Sequence, residues 1–296
     1  MKEVIIKTLE ENKLYDDNYD EVYVNKIRDF FDSYHVNKSS KNKLPHTIKR
    51  DNNGFLVLDN EPYIISDLKT DGHSEAFWML LSNGSRVLLK QADYEEIQNE
   101  LLFKYLCKWL DIPCANNDVA VFQGNVYLLS PSFLSLDEFL LDYYEVRGKQ
   151  SIQVKDLVEK AYKINQDAFV RKALLVDILT DNQDRFPKNF KVIKGKKNIR
   201  ICPLYDNGML RECKKYSSVL LFAKESTDNY DIISYLLKNE SFRNWCLKKL
   251  ISKPYPDLRK TIYQDKGIYV DDEINKAFNK DVKDGISLVL DSIKNN

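Results

Sequence analysis

An α+β fold of two lobes, a small strand-rich one followed by a larger helical one, is what the sequence predicts. Three observations carry this. Short β-type runs crowd the stretch from about residue 54 to 130, with one clear helix among them. Helical patterns dominate from Ser135 onward. The strands and helices are segregated rather than alternating, which argues against a doubly wound sheet.

In chain order, residues from about 1 to 35 read as helical, with Ile5, Leu9, Val22, Val24, Ile27, Phe30 and Phe31 giving patchy apolar faces. The stretch 37–51 (NKSSKNKLPHTIKRD) is polar, basic and interrupted by Pro45, as a linker or exposed loop would be. Then come GFLVLD, PYIIS, AFWMLL and RVLLK; Asn83-Gly84 between the last two is a hairpin signal. A helix over about 93–110 opens with Asp93 and Glu96 at capping-box spacing. Its face of Ile97, Leu101, Tyr105, Leu106 and Trp109 is expected to pack on the small sheet. DVAVFQ and NVYLLS add two more strands. Further on, AFVRKALLVDILT (168–180) is apolar nearly all round, the pattern of a buried central helix, and NFKVI and NIRICPLY form a strand pair around a GKK turn. The expected division is an N-terminal helical segment and linker over 1–50, a small lobe over 51–132 and a large lobe over 133–296.

Composition narrows the function classes. Lysine plus arginine equal aspartate plus glutamate at 45 each, so no overall field draws in nucleic acid or an anionic membrane. The five cysteines include no CxxC pair and stand far from the three histidines, which disfavours a structural zinc site or a disulfide framework. The first residues lack a secretory leader's apolar run, and no stretch has the roughly 18 apolar residues of a membrane helix. A soluble protein of a reducing cytoplasm is expected, with neither membrane nor direct nucleic-acid binding.

The chemistry-bearing residues follow the buried helix. DNQDRFPKNF places Asp184 five residues before Asn189, and PLYDNG follows after a strand pair with Asp206 and Gly208. Phosphoryl transfer asks a protein for an oriented nucleophile and neutralised phosphate charge. The D-x-x-x-x-N spacing matches the kinase catalytic loop, and a carboxylate after the next hairpin matches its metal-binding aspartate. An Asp/Asn-rich turn after a helix is usually a turn device; here order and context carry the assignment. Lys90 ends RVLLK, where kinases hold the α- and β-phosphates with a lysine paired to a glutamate on the next helix. Glu100 lies beside the apolar stripe of that helix; Glu96, one turn earlier, competes for the pairing and has a capping role of its own. The loop Thr70-Asp-Gly72-His73-Ser74-Glu75 offers amides and hydroxyls to phosphate oxygens, although its single glycine does not make a kinase Gly-rich loop.

Together DNQDRFPKNF, PLYDNG, RVLLK with its NE-bearing helix, and DGHSEAFWML resemble the HipA-like serine/threonine kinases over roughly residues 60 to 250. The resemblance implies a two-lobed protein-kinase-like fold with ATP between the lobes, magnesium, transfer of the γ-phosphoryl group to a protein hydroxyl, self-phosphorylation, and often a toxin–antitoxin module with an antitoxin-type partner. By motif position, Asp184 is the general base, Asn189 and Asp206 the magnesium ligands, Lys90 the phosphate-binding lysine and Glu100 its partner. Gly72, His73, Ser74 and Glu75 form the phosphate loop, and Ser130 and Ser132 join the nucleotide site. Phe186 stands where the family pattern usually has histidine, and the amino-terminal subdomain of full-length members is expected to be reduced or absent. A lipid or small-molecule kinase of the same fold, or a nucleotide-binding pseudokinase or interaction module, are the competing readings.

Overall fold

The computed structural model describes residues 43–65, 75–134, 138–142, 152–182, 190–195, 199–208, 220–221 and 229–295. The helical segment expected over 1–35 lies outside them.

The first lobe is a seven-stranded sheet of β1 (Lys49–Arg50), β2 (Leu56–Val57), β3 (Tyr63–Ile65), β4 (Ala76–Leu81), β5 (Arg86–Lys90), β6 (Asp118–Phe122) and β7 (Asn125–Pro131), in the order β1-β2-β6-β7-β5-β4-β3. All neighbours are antiparallel except β2 and β6. Asn83-Gly84 closes the β4–β5 hairpin as expected: Gly84 takes φ 82°, which a residue with a Cβ resists, and Asn83 Oδ1 accepts from Ser85 N at 2.9 Å.

Each sheet face has its own work. Leu56, Leu58, Met79, Leu81, Val87, Leu89, Ala120, Phe122 and Leu129 form a separate apolar cluster on one side. The register Lys90↔Leu128↔Val119 sets those three on the opposite side, where Leu128 and Val119 join the core of the helical lobe. Strand alternation thus aims Lys90 at the boundary between the lobes.

Two elements differ from expectation. Residues 43–50 are not simply an exposed loop: Leu44 and Ile48 pack on the smaller cluster and Lys49–Arg50 pair with Leu56–Val57. Polar composition hid this because an edge strand needs few apolar residues to pair its backbone. In the region expected to be helical, β8 (Phe139–Asp142) pairs with β10 (Lys191–Lys194), which pairs in turn with β11 (Ile199–Ile201). FLLD takes its strand form from a partner some fifty residues away, which local periodicity cannot register. A short parallel pair joins β9 (Ile152–Gln153) to β12 (Leu220–Leu221).

The helices are α1 (Tyr94–Leu110), α2 (Val154–Tyr162), α3 (Asp167–Leu179), α4 (Asn229–Leu237), α5 (Glu240–Leu250), α6 (Leu258–Lys266) and α7 (Asp272–Asn295). Helix α3 is the buried centre that its composition predicts, with everything from Ala173 to Leu179 inside. Gly285 of α7 lets the two helices touch: a Cβ there would lie 2.7 Å from Leu179 Cα. Helix α1 starts where the sequence places it, with Asp93 Oδ1 accepting from Glu96 N at 2.7 Å. It is not simply an amphipathic helix lying on the sheet, however. It packs against α6 and α7 as well, so polar and apolar residues alike from Glu96 to Phe103 are buried. A helix between two lobes needs no solvent face along its middle, and that is why polar side chains there must find partners inside.

Candidate active site

The segment leaving β11 is fastened before it reaches the site. Leu204 N donates to Pro113 O at 3.1 Å and Leu204 O accepts from Ala115 N at 2.7 Å, so the chain runs alongside the exit from α1. Two residues later Asp206 adopts φ 57°, the left-handed region that Asp tolerates better than most residues. Gly208 then passes so close to α1 that a Cβ would sit 2.3 Å from Glu96 Cγ. The glycine of PLYDNG is therefore required by packing.

Lys90 joins sheet, helix and turn. Its Nζ donates to Glu96 Oε1 at 2.6 Å and to Asp206 Oδ1 at 3.1 Å. Burial alone would lower the ammonium's pKa, but the Asp206 and Glu96 carboxylates outweigh it and hold the pKa above the usual lysine value. The two carboxylates therefore favour the charged ammonium. Asp206 keeps 42% of its side chain exposed, against 9% for Glu96, so the Asp206 end of the cluster faces outward.

The pairing corrects an expectation. Lys90 bonds Glu96, not Glu100. The cap is made by the backbone of Glu96, which leaves its carboxylate to reach the strand; capping and ion pairing do not compete. Glu100, one turn on and 1% exposed, instead accepts from Asn207 N at 2.5 Å and from Asn117 Nδ2 at 2.8 Å. Burial, then the Asp206 charge, push its carboxyl up to about 7.

Other expected site residues are distributed as follows. Asp184, Asn189, Gly72, His73 and Ser74 lie outside the described residues. The entry to the Asp184 loop is described: Asp181 takes φ 48°, and Asn182 bonds Asp177 through its backbone N–H at 2.8 Å and its Nδ2 at 2.9 Å. Glu75 is exposed beside β4, its carbonyl accepting from Gln91 N at 2.8 Å. Ser130 lies on the Lys90 face of the sheet, register-paired with Leu88, and its hydroxyl donates to Asn117 Oδ1 at 2.7 Å. Ser132 is buried, and its Oγ accepts from Leu134 N at 3.3 Å. Asn99, Asn117 and Asn207, to which the sequence assigns no role, are all buried here; an isolated asparagine carries no spacing signal.

Among the described residues no group of three or more His, Cys, Asp or Glu is placed to hold a metal ion. A single outward carboxylate nevertheless suits magnesium, which is typically held by one or two protein carboxylates, phosphate oxygens and water. No described helix is long and apolar enough to cross a membrane.

No protein-family model matches the sequence, and comparison with curated proteins gives no match. Comparison with solved structures does. The proinflammatory kinase CtkA of Helicobacter pylori superposes with a TM-score of 0.54 at 12% identity, over 81% of this chain and 96% of that one. HipA of Shewanella oneidensis, solved with HipB and operator DNA as a toxin–antitoxin system, superposes with a TM-score of 0.51 at 14% identity, over 77% of this chain and 66% of that one. The chain has the two-lobed α+β fold of these two proteins.

Proposed function

We propose that the protein is an ATP- and magnesium-dependent serine/threonine kinase of HipA-like type. The observation that carries the reading is Lys90, at a strand end, held between Glu96 of the next helix and Asp206 of the turn after β11. That is the strand-lysine, helix-glutamate and metal-aspartate arrangement expected of a kinase cleft, in a chain that shares its fold with the kinase CtkA and with HipA of a toxin–antitoxin system.

In this reading the Lys90 ammonium binds the phosphates that do not transfer, and Glu96 keeps it aimed. Asp206 and Asn189 hold magnesium, whose chemistry is to neutralise charge on the phosphate oxygens. Asp184 accepts the proton of the attacking hydroxyl. Electrostatic positioning of this kind needs no covalent participation by the protein. Gly72, His73, Ser74 and Glu75 close over the phosphates, Ser130 and Ser132 border the nucleotide, and the acceptor is a serine or threonine of a protein in the cytoplasm. An antitoxin-type partner belongs to the same proposal, by analogy with the HipB that accompanies the Shewanella HipA.

Incubation with γ-labelled ATP and magnesium, with and without EDTA, tests it. Label on the protein or on an added protein acceptor, abolished by EDTA, is expected. Label moving instead to a lipid or small metabolite would replace the protein acceptor. Tight nucleotide binding without transfer to any acceptor would make the chain a pseudokinase.

A further inference from the structure

Glu100 spends both carboxylate oxygens on holding the Asp206 turn. Oε1 accepts the backbone N–H of Asn207, the residue after Asp206, and Oε2 accepts Asn117 Nδ2, with Asn207 Nδ2 at 3.5 Å. Asn117 is itself fixed by the Ser130 hydroxyl at 2.7 Å. A continuous hydrogen-bonded chain therefore runs from strand β7 through Asn117 and Glu100 into the turn. Asn99, one residue before Glu100, adds a bond from Nδ2 to Gly208 O at 3.2 Å. Three residues of one helix, Glu96, Asn99 and Glu100, thus grip the two residues that follow Asp206, Asn207 and Gly208, by packing or hydrogen bonds.

The turn needs this grip. Asp206 sits in a backbone region costly for a residue with a Cβ, and such conformations persist where the surroundings over-determine them. Its side-chain bond to Lys90 restrains the carboxylate but leaves the peptide free to rotate. The bond from Asn207 N to Glu100 removes that freedom at the adjoining peptide. It also explains why a fully buried glutamate lies beside, and unpaired with, the cluster's lysine.

We infer that Glu100 is a positioning residue: acting through the Asn207 backbone, it holds the Asp206 carboxylate in the orientation that receives magnesium. This deepens the phosphotransferase reading and rests on it. The role requires a hydrogen-bond acceptor, not a charge, so Gln and Ala must differ. In Glu100→Gln the amide oxygen still accepts from Asn207 N. Asn117 turns its amide over to offer Oδ1 to the new NH2, and the Ser130 hydroxyl, which can donate or accept, follows. In Glu100→Ala the Asn207 N–H and the Asn117 amide lose their acceptor.

Two measurements on the full chain decide it. Amide hydrogen exchange reads the clamp directly: Glu100→Ala should lose protection at Asn207 while helix α3 keeps its own, and Glu100→Gln should retain both. Magnesium titration of ATP binding reads the consequence: Glu100→Ala should raise the magnesium requirement about 10-fold to 100-fold, the range typical when a group that orients a metal ligand is removed. Excess magnesium should recover binding, and Glu100→Gln should stay close to wild type. Should Glu100→Ala fail to fold, Asn117→Ala breaks the same chain one link back and should move both readouts the same way by less. Protection at Asn207 unchanged in Glu100→Ala, an unchanged magnesium requirement, or Glu100→Gln as damaged as Glu100→Ala would each overturn the inference. A wild-type protein that binds no magnesium–ATP would sink the phosphotransferase reading and the magnesium role with it, while the exchange result still decides the clamp.

Discussion

Two ion clusters of the chain are mirror images in charge. At the Lys90 cluster one cation lies between two carboxylates; in the other, one carboxylate, Asp118, lies between two cations. Arg50 meets Asp118 at 3.1 and 2.8 Å and Lys266 meets it at 2.5 Å. The second cluster ties the first strand of the sheet and the end of α6 to β6. The contrast lies in the carboxylates: Asp118, with Lys266 beside it, is closed to solvent at 8% and 9% side-chain exposure even though Arg50 keeps 30%, whereas Asp206 stands 42% exposed. Similar pair chemistry therefore serves two ends. A closed cluster whose members satisfy one another fastens the chain, whereas one with an outward carboxylate can exchange a partner for a cation or a phosphate.

The largest effects should come from breaking the open cluster's chemistry. Asp206→Ala should abolish phosphoryl transfer and weaken magnesium–nucleotide binding while the protein still folds; labelled-ATP transfer, calorimetric nucleotide titration and a thermal scan check the three parts. Asp184→Ala should abolish transfer equally but largely preserve nucleotide binding, because a base contacts the acceptor. Wild-type turnover by the Asp184 variant would remove it from the reaction.

Next comes the closed cluster, where the loss should be in stability. Asp118→Ala leaves Lys266 and Arg50 facing each other without their carboxylate, and breaking a buried pair typically costs about 3–5 kcal/mol. Urea unfolding should show it, and nucleotide affinity per folded molecule should change much less than in Asp206→Ala. Equal nucleotide defects in the two variants would erase the distinction between the clusters.

A smaller effect separates them by pH. Burial pushes the Asp118 carboxyl up, but Arg50 and Lys266 more than reverse this and hold its pKa below the usual value. A depressed carboxylate stabilises the fold above its unfolded pKa of about 3.9 and loses that contribution as pH falls through the folded value. Asp118→Asn should therefore lower stability at neutral pH and flatten its decline below about pH 4. A decline as steep as wild type would mean that other carboxylates govern acid unfolding.

Self-modification should be the subtlest signal. If the protein phosphorylates itself, mass mapping should place the phosphate at Ser66, Thr70 or Ser74 in the segment before β4, and the modified form should bind ATP poorly because about −1.5 to −2 charge is added beside an anionic ligand. Phosphate confined to Ser39/Ser40, or to Ser217, Ser218 and Thr227, would defeat this.

What could be read from the sequence was what is local. Asn83-Gly84, the Asp93 cap, the uniformly apolar α3 and Lys90 at a strand end all follow from neighbours within a few residues, and PLYDNG shows its carboxylate and glycine openly. The rotation of α1 could not be read this way. Glu96 and Glu100 both lie near the apolar stripe, and which of them meets Lys90 depends on where the sheet and the Asp206 turn sit, contacts spanning six and 116 positions. Strand β8 and the Arg50–Asp118 pair were hidden for the same reason: their partners are distant in sequence, and neither FLLD nor a lone arginine in a basic stretch announces them.

Phosphoryl transfer by this chain turns on whether the Lys90–Glu96–Asp206 cluster binds magnesium and nucleotide. Calorimetric titration of ATP into the wild-type protein and Asp206→Asn, each with magnesium and with EDTA, tests it most directly. Magnesium should strengthen binding by the wild type, and that strengthening should be lost in Asp206→Asn. Equal magnesium dependence in the two proteins would contradict it.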